Sequence, residues 1–314
     1  MLKGNEMIGN NSLPNDIEIV EPVNGGYSGA DLYKVQKDNN VYLMKIYDRI
    51  FNDNEVKRLE EVCKIYKENN INSLFIVGHG RLKNEDKYYF LYNYIDGIDF
   101  EVYSEEKLNL EETYKMGVEV GNTLRKLQDY VLPINTLIDS EDIDELTNSI
   151  NVLYENIKKD KEKVELIEKY FKIENINKRV EKFNQCKDIF KSMDRVLIHG
   201  DIKRSNVMLD DELNTRIIDI RNMKNSYEIM NFRHQITWTL FKDNKKAKEF
   251  AKGYFDGIYG YTRPDNFNDQ IDFIVTLNFI EETDKMNNKD ELEEYYKKVK
   301  ILFQDIEMAK GNIV

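Results

Sequence analysis

Three residues in one stretch of the sequence have the types and spacing to do chemistry on phosphate. In IHGDIKRSNVMLDDELNTRIIDI, residues 198–220, Asp201 and Asn206 stand five apart on a loop with an apolar, β-type run on each side. Asp219 follows thirteen residues later inside the run IIDI. Any one of them alone would read as an ordinary turn or edge position. Together, in this order, they hold the parts that moving a phosphoryl group to a hydroxyl requires. One carboxylate takes the hydroxyl proton, and a pair of hard oxygens holds Mg²⁺ against the phosphates.

Other elements must position these residues. Residues 1–16 are polar and aperiodic. From Ile17 the chain reads as strands: IEIVEPV, then NGGYSG, ADLYKVQ, a DNN turn and VYLMKIY. Val56, Leu59, Cys63 and Tyr66 then recur at helical spacing in NEVKRLEEVCKIYKENN, an amphipathic helix. NSLFIVGHGRL and DKYYFLYNYIDG supply two more strands. Strand-strand-strand-helix-strand-strand fits a small antiparallel sheet with one helix packed on it. Lys45, among Leu43, Met44 and Ile46, falls on a strand that the apolar neighbours would bury, and an unpaired buried ammonium is costly. Beyond Gly97 the pattern is mainly helical, interrupted by short strands at 196–220 and by YGYTRPDN.

His199-Gly200-Asp201, followed by Asn206 and Asp219, resembles the catalytic loop and metal aspartate of the aminoglycoside phosphotransferase, choline kinase and protein-kinase superfamily. The His-Gly-Asp form resembles its small-molecule branch, since protein kinases typically carry His-Arg-Asp. The resemblance runs from about Ile17 to past Phe255. It is specific at residues 199–219 and diffuse elsewhere. It implies an α+β, bilobal protein-kinase-like fold: an N-lobe of residues 1–96 with a β-sheet and one helix, and a mainly helical C-lobe of residues 97–314, with a hinge near Asp96-Gly97. It implies Asp201 as the base, Asn206 and Asp219 as Mg²⁺ ligands, and His199 as a structural anchor. ATP or GTP would lie under Gly25, Gly26 and Gly29. Lys45 would meet its phosphates, with Glu60 of the following helix as the lysine's partner and Glu55 and Glu61 as alternatives. Backbone groups of Asn93 and Tyr94 would receive the base.

Departures from the family pattern are Ile220-Arg221 after the metal aspartate, Glu228 where an aspartate is common, and Lys203-Arg204 after the base, where positive charge would steady phosphoryl oxygens or point to solvent. The acceptor would sit against the later helices, where Asp256, Tyr259, Tyr261, Glu281, Glu282 and Asp284 would suit a small cationic hydroxyl compound such as an aminoglycoside. A protein substrate, or a nucleotide-binding pseudokinase, are the competing readings.

Composition narrows the class further. The chain has 314 residues, 33% of them charged, and a net charge of −12, which disfavours nucleic acid as a partner. Cys63 and Cys186 form no metal-type spacing, and a reducing cytoplasm is expected. MLKGNEMIGNNSLPND lacks the apolar core of a signal peptide. The run FIVTLNFI, residues 273–280, is far too short to span a bilayer.

Overall fold

The computed structural model describes residues 13, 14, 16–23, 30–83, 85–233 and 245–308. The chain divides into two compact units. The first ends at Ile98 and also takes in Pro133–Ile138 and Met208–Arg221; the second holds Asp99–Leu132, Asp139–Val207 and the chain from Asn222 onward. A boundary at 96–97 was expected from composition; the two later segments of the first unit carry no composition signal and are recruited by hydrogen bonds. Glu61 accepts from Thr136 Oγ1 and from the Leu137 N–H, and the Ile217 N–H donates to Asn72 O.

In the first unit, β1 (Glu18–Pro22), β2 (Asp31–Lys37), β3 (Asn40–Tyr47), β4 (Ile76–Arg81) and β5 (Tyr88–Asn93) form an antiparallel sheet ordered β1-β2-β3-β5-β4. Strand alternation separates two apolar faces. Val35, Met44, Ile46 and Leu91 pack with Leu13 and Ile17 on one side. Tyr47, Phe90 and Tyr92 pack on the other with Phe51, Val56 and Leu74. Lys45 shares this second face, opposite Phe90 on β5 and Leu32 on β2. Helix α1 (Asp53–Glu68) lies on the same side, started by a capping box in which Asn52 and Glu55 satisfy each other's backbone N–H groups. After β6 (Gly97–Asp99), the strands β8 (Val207–Asp210) and β9 (Thr215–Ile217) form a hairpin. At Gly97 a Cβ would stand 2.4 Å from Leu209 O, so only glycine allows that approach.

The second unit contains α2 (Phe100–Lys107), α3 (Leu110–Arg125), α4 (Ile143–Ile157), α5 (Lys161–Tyr170), α6 (Ile173–Lys191), α7 (Lys245–Tyr259), α8 (Phe267–Lys285) and α9 (Lys289–Met308). Its short strands β7 (Val196–Ile198) and β10 (Lys224–Ser226) pair antiparallel. Helices α3 and α7 meet backbone to backbone through Gly117, Gly121, Gly253 and Gly257. The apolar run at residues 273–280 is the centre of α8, buried on every side, as expected of a helix apolar all round. No helix among the described residues is long and apolar enough to cross a membrane. The antiparallel sheet with one helix, and the mainly helical remainder, are the architecture the sequence implied.

Candidate active site

Residues 199–206 lie in the second unit, where β7 delivers the chain. His199 is fully buried, and its Nδ1 accepts the Asp201 N–H at 3.3 Å, the anchoring role expected of it. Gly200 turns at φ +86°, and a Cβ there would stand 2.2 Å from Asn222 O. Asn231 clamps the turn twice: its Oδ1 accepts the Gly200 N–H at 2.8 Å and its carbonyl accepts the Ile202 N–H at 3.1 Å. Asn231 Nδ2 in turn donates to Glu228 Oε1 at 2.6 Å, which also accepts from Tyr254 Oη at 2.7 Å. Burial pushes the Glu228 carboxyl up from its ordinary range, against the pull of its three hydrogen-bond donors. Glu228 therefore braces the loop through Asn231, a role that spacing alone does not reveal.

On this loop Asp201 is buried and its two oxygens differ. Oδ2 accepts from Lys203 Nζ and from Asn206 Nδ2, each at 3.1 Å, whereas Oδ1 is buried without a hydrogen-bond partner among the described residues. Asn206 Nδ2 also donates to the Asp201 carbonyl at 2.7 Å, so its amide nitrogen is committed to the loop. Its own oxygen accepts no hydrogen bond from the described residues. Arg204 does not point to solvent: it is buried and donates to Ser104 Oγ at 2.9 Å and Glu105 Oε1 at 2.6 Å of α2. Lys203 keeps the charge next to Asp201.

A second group lies wholly within the first unit. Lys45, Asp219 and Arg221 line one small cleft with Tyr47 and Tyr92 of the sheet and Leu59 and Cys63 of α1. Lys45 is half-buried there, with Nζ 5.5 Å from the centre of the Tyr92 ring. Burial lowers the ammonium's pKa; Asp219 offsets this in part, and Arg221 adds to it. Among the described residues no carboxylate lies within ion-pair distance of Lys45. Asp219 sits at φ +59°, a conformation rare for a residue with a Cβ. Its Oδ1 accepts from Arg221 Nε at 2.9 Å.

The expected partner of Lys45 is therefore corrected. Glu60 is largely exposed on α1 and lies 3.5 Å from His79 Nε2. Leu59 and Cys63, one turn apart, face the cleft, and at 100° per residue Glu60 is rotated off that face. The alternatives are engaged elsewhere too: Glu55 caps α1 and binds Arg49, and Glu61 holds residues 136 and 137. Asn93 is corrected in part. Its N–H donates to Phe75 O at 3.1 Å and its side chain staples Phe75 and Ser73, so that backbone donor is not open to a base. Tyr94 carries Lys34 over its ring at 5.0 Å. Gly25, Gly26 and Gly29 lie outside the described residues. The supposed acceptor acids are mostly paired: Glu281 with Arg233 at 2.5 Å, Asp256 with Arg263 at 2.8 Å and with Tyr114 Oη, and Glu282 with Lys285. Tyr259 is half-buried beside Phe255, and Tyr261 is exposed. Tyr47, Tyr92 and Arg221 were not anticipated as site residues. The alternation of β3 and β5 was the available signal for the tyrosines, since both share a face with Lys45.

A five-stranded antiparallel sheet with one helix, a helical second unit and this loop define a phosphotransferase of the protein-kinase-like superfamily, with a hydroxyl as acceptor. The chain belongs to the phosphotransferase enzyme family (APH), whose sequence model matches residues 19–229. Sequence comparison with curated proteins gives no match. Solved structures share the fold at low identity. One is a thermostable mutant of aminoglycoside phosphotransferase APH(4)-Ia in ternary complex with ADP and hygromycin B, with TM-score 0.61, 10% identity, and 95% of each chain covered. The microcompartment-associated aminopropanol kinase aligns with TM-score 0.60 and 10% identity over 96% of each chain. Ethanolamine kinase of Plasmodium vivax aligns with TM-score 0.55 and 16% identity, covering 96% of this chain and 86% of the other.

Proposed function

We propose that this chain transfers the γ-phosphoryl group of ATP or GTP to the hydroxyl of a small, amine-bearing molecule, with Asp201 as the base. The observation that carries the reading is the asymmetry of Asp201. Lys203 and Asn206 fix one oxygen, and the other is buried and unpartnered, ready to take a proton from a hydroxyl.

Mg²⁺ fits the donor set. Asn206 turns its amide nitrogen to the loop and keeps its oxygen uncommitted, and Asp219 offers a carboxylate. No group of three acidic, histidine or cysteine side chains that would hold a metal occurs among the described residues, so these two would hold the ion together with nucleotide phosphates, in the manner usual for Mg²⁺. When bound, the ion would neutralise charge on the transferring group. Lys45 would bind the phosphates, for which its lack of a carboxylate partner leaves it available. Gly25, Gly26, Gly29 and Tyr94 remain proposed contacts of the nucleotide. Asp201 receives the acceptor's proton, Lys203 supplies positive charge beside the reacting oxygens, and Asn231 with Glu228 keeps the loop in place. Positioning and electrostatics supply most of the rate in such transfers.

An amine-bearing acceptor is supported by the names of the structural neighbours, which act on or bind aminopropanol, ethanolamine and hygromycin B. The net charge of −12 favours encounter with a cation, although screening confines that help to about 8 Å at physiological salt. The test is an ADP- or GDP-release screen with Mg²⁺ and either nucleotide, across amino alcohols, aminoglycosides and neutral sugars. Turnover on amine-bearing alcohols is expected. Turnover confined to neutral sugars or to proteins would overturn the acceptor class.

A further inference from the structure

Glu55, Glu60 and Glu61 of α1 are each engaged away from Lys45, and the side chains that α1 gives to the cleft are Leu59 and Cys63. Lys45 and Arg221 are its two cations and Asp219 is its one anion, so the cleft holds a surplus positive charge. The anion is also taken. Arg221 Nε is 2.9 Å from Asp219 Oδ1, and Arg221 Nη1 reaches Tyr47 Oη at 3.4 Å, while Lys45 stands outside ion-pair distance. The backbone beneath the arginine is pinned, because Arg58 Nη1 donates to Arg221 O at 2.9 Å.

We propose that Arg221 is the resident counterion of Asp219 in the nucleotide-free protein and becomes a ligand of the nucleotide's polyphosphate when a divalent metal takes that carboxylate. The inference rests on the kinase reading above. A guanidinium hydrogen-bonded to Oδ1 and a metal ion at the same oxygen compete, since both are cations seeking one lone-pair region. The guanidinium that leaves does not need to travel far. With the backbone held by Arg58, rotation of the side chain alone frees it, and its planar fork matches two phosphate oxygens where an ammonium matches one.

The experiment is titration calorimetry with ATP, first in EDTA and then across a Mg²⁺ series, on the wild type, Arg221→Gln and Arg221→Lys, with thermal melting as a check on folding. Arg221→Gln removes a cation and its hydrogen bond to Asp219. At saturating Mg²⁺, ATP should then bind about ten-fold more weakly, the worth of one charge-assisted hydrogen bond to phosphate. The Mg²⁺ concentration giving half of the affinity gain should fall, because the metal no longer has to displace the Arg221 guanidinium from Asp219. Arg221→Lys keeps the charge and loses the fork, so at saturating Mg²⁺ it should weaken ATP by less than Gln does; if Arg221→Gln does not fold, this variant decides. Variants indistinguishable from the wild type in both quantities would overturn the role of Arg221 and leave the kinase reading standing. A wild type that binds neither ATP nor GTP, with or without Mg²⁺, would overturn the kinase reading and this inference with it.

Discussion

Replacing Asp201 with asparagine is the sharpest probe of the site, because the existing hydrogen bonds dictate how the new side chain sits. Asp201 Oδ2 accepts from Lys203 Nζ and Asn206 Nδ2, and Oδ1 accepts from nothing among the described residues. An asparagine has one accepting oxygen and one donating NH₂ group. Both existing donors require the oxygen at the place of Oδ2, which leaves the NH₂ group at the place of Oδ1. The substitution therefore keeps the loop's bonds and reverses polarity at the one atom that must accept a proton. The two bonds weaken from charged to neutral acceptor, a cost to folding of about 1 kcal/mol. A positioned base contributes a factor of about 10² to 10⁴, or roughly 3–5 kcal/mol of barrier at 1.36 kcal/mol per decade. The expected result is a melting temperature within a few degrees of wild type, an unchanged ATP dissociation constant and a turnover lower by about 10² to 10⁴. Coupled ADP release, calorimetry and thermal melting on one preparation measure all three. Turnover within ten-fold of wild type in a folded, ATP-binding Asp201→Asn protein would refute the assignment.

Three further outcomes follow from the geometry. Lys45→Met should stabilise the nucleotide-free protein by about 1 kcal/mol, a fraction of the several kcal/mol that an unpaired interior ammonium costs, because the side chain is only half-buried. ATP binding should weaken at the same time. Since burial lowers the folded-state pKa of Lys45, the penalty is full below that lowered value and fades as pH rises from it to the ordinary lysine value, so the variant's advantage in thermal melts should shrink at alkaline pH. Equal pH slopes for the two proteins would count against an unpaired ammonium. Gly121→Ala places a Cβ 2.2 Å from Tyr254 O and forces α3 and α7 apart, so it should cost about 1–3 kcal/mol in urea unfolding despite alanine's better helix propensity; a gain in stability would contradict the close packing. Asp219→Ala should abolish Mg²⁺-dependent nucleotide binding, while Asn206→Ala should raise the Mg²⁺ requirement and leave binding measurable, since an amide oxygen gives less than a carboxylate. Mg²⁺ titrations of both that overlay the wild type would move the metal site elsewhere.

What the sequence disclosed and what it concealed differ in physical kind. The sheet was legible because period-two alternation in VYLMKIY and YYFLYN encodes two faces, and the loop at 199–206 because its groups bond to one another within a few residues, as Asn206 does to Asp201. The partner of Lys45 was not legible. Three glutamates on one helix are equivalent in a string of letters and become distinct only when packing fixes the rotation of α1, which Leu59 and Cys63 do by facing the cleft. Asn93 was assigned by its place at the strand end, but its backbone donor is taken by Phe75, a contact that depends on residues 73–75 folding back alongside.

The same distinction explains the charges. A net charge of −12 is a sum over the chain, whereas recognition depends on which carboxylates stay without cations. Glu281 holds Arg233 and Asp256 holds Arg263, so two acids that look like part of a cation-binding wall in the sequence already have cations in the fold. Arg221 shows the converse. Read as a letter two residues past Asp219 it is a departure from the family pattern; placed in the cleft it is the cation in contact with the carboxylate on which Mg²⁺ binding would depend. The chemistry of this site is thus set less by which charged residues are present than by which of them have already found each other.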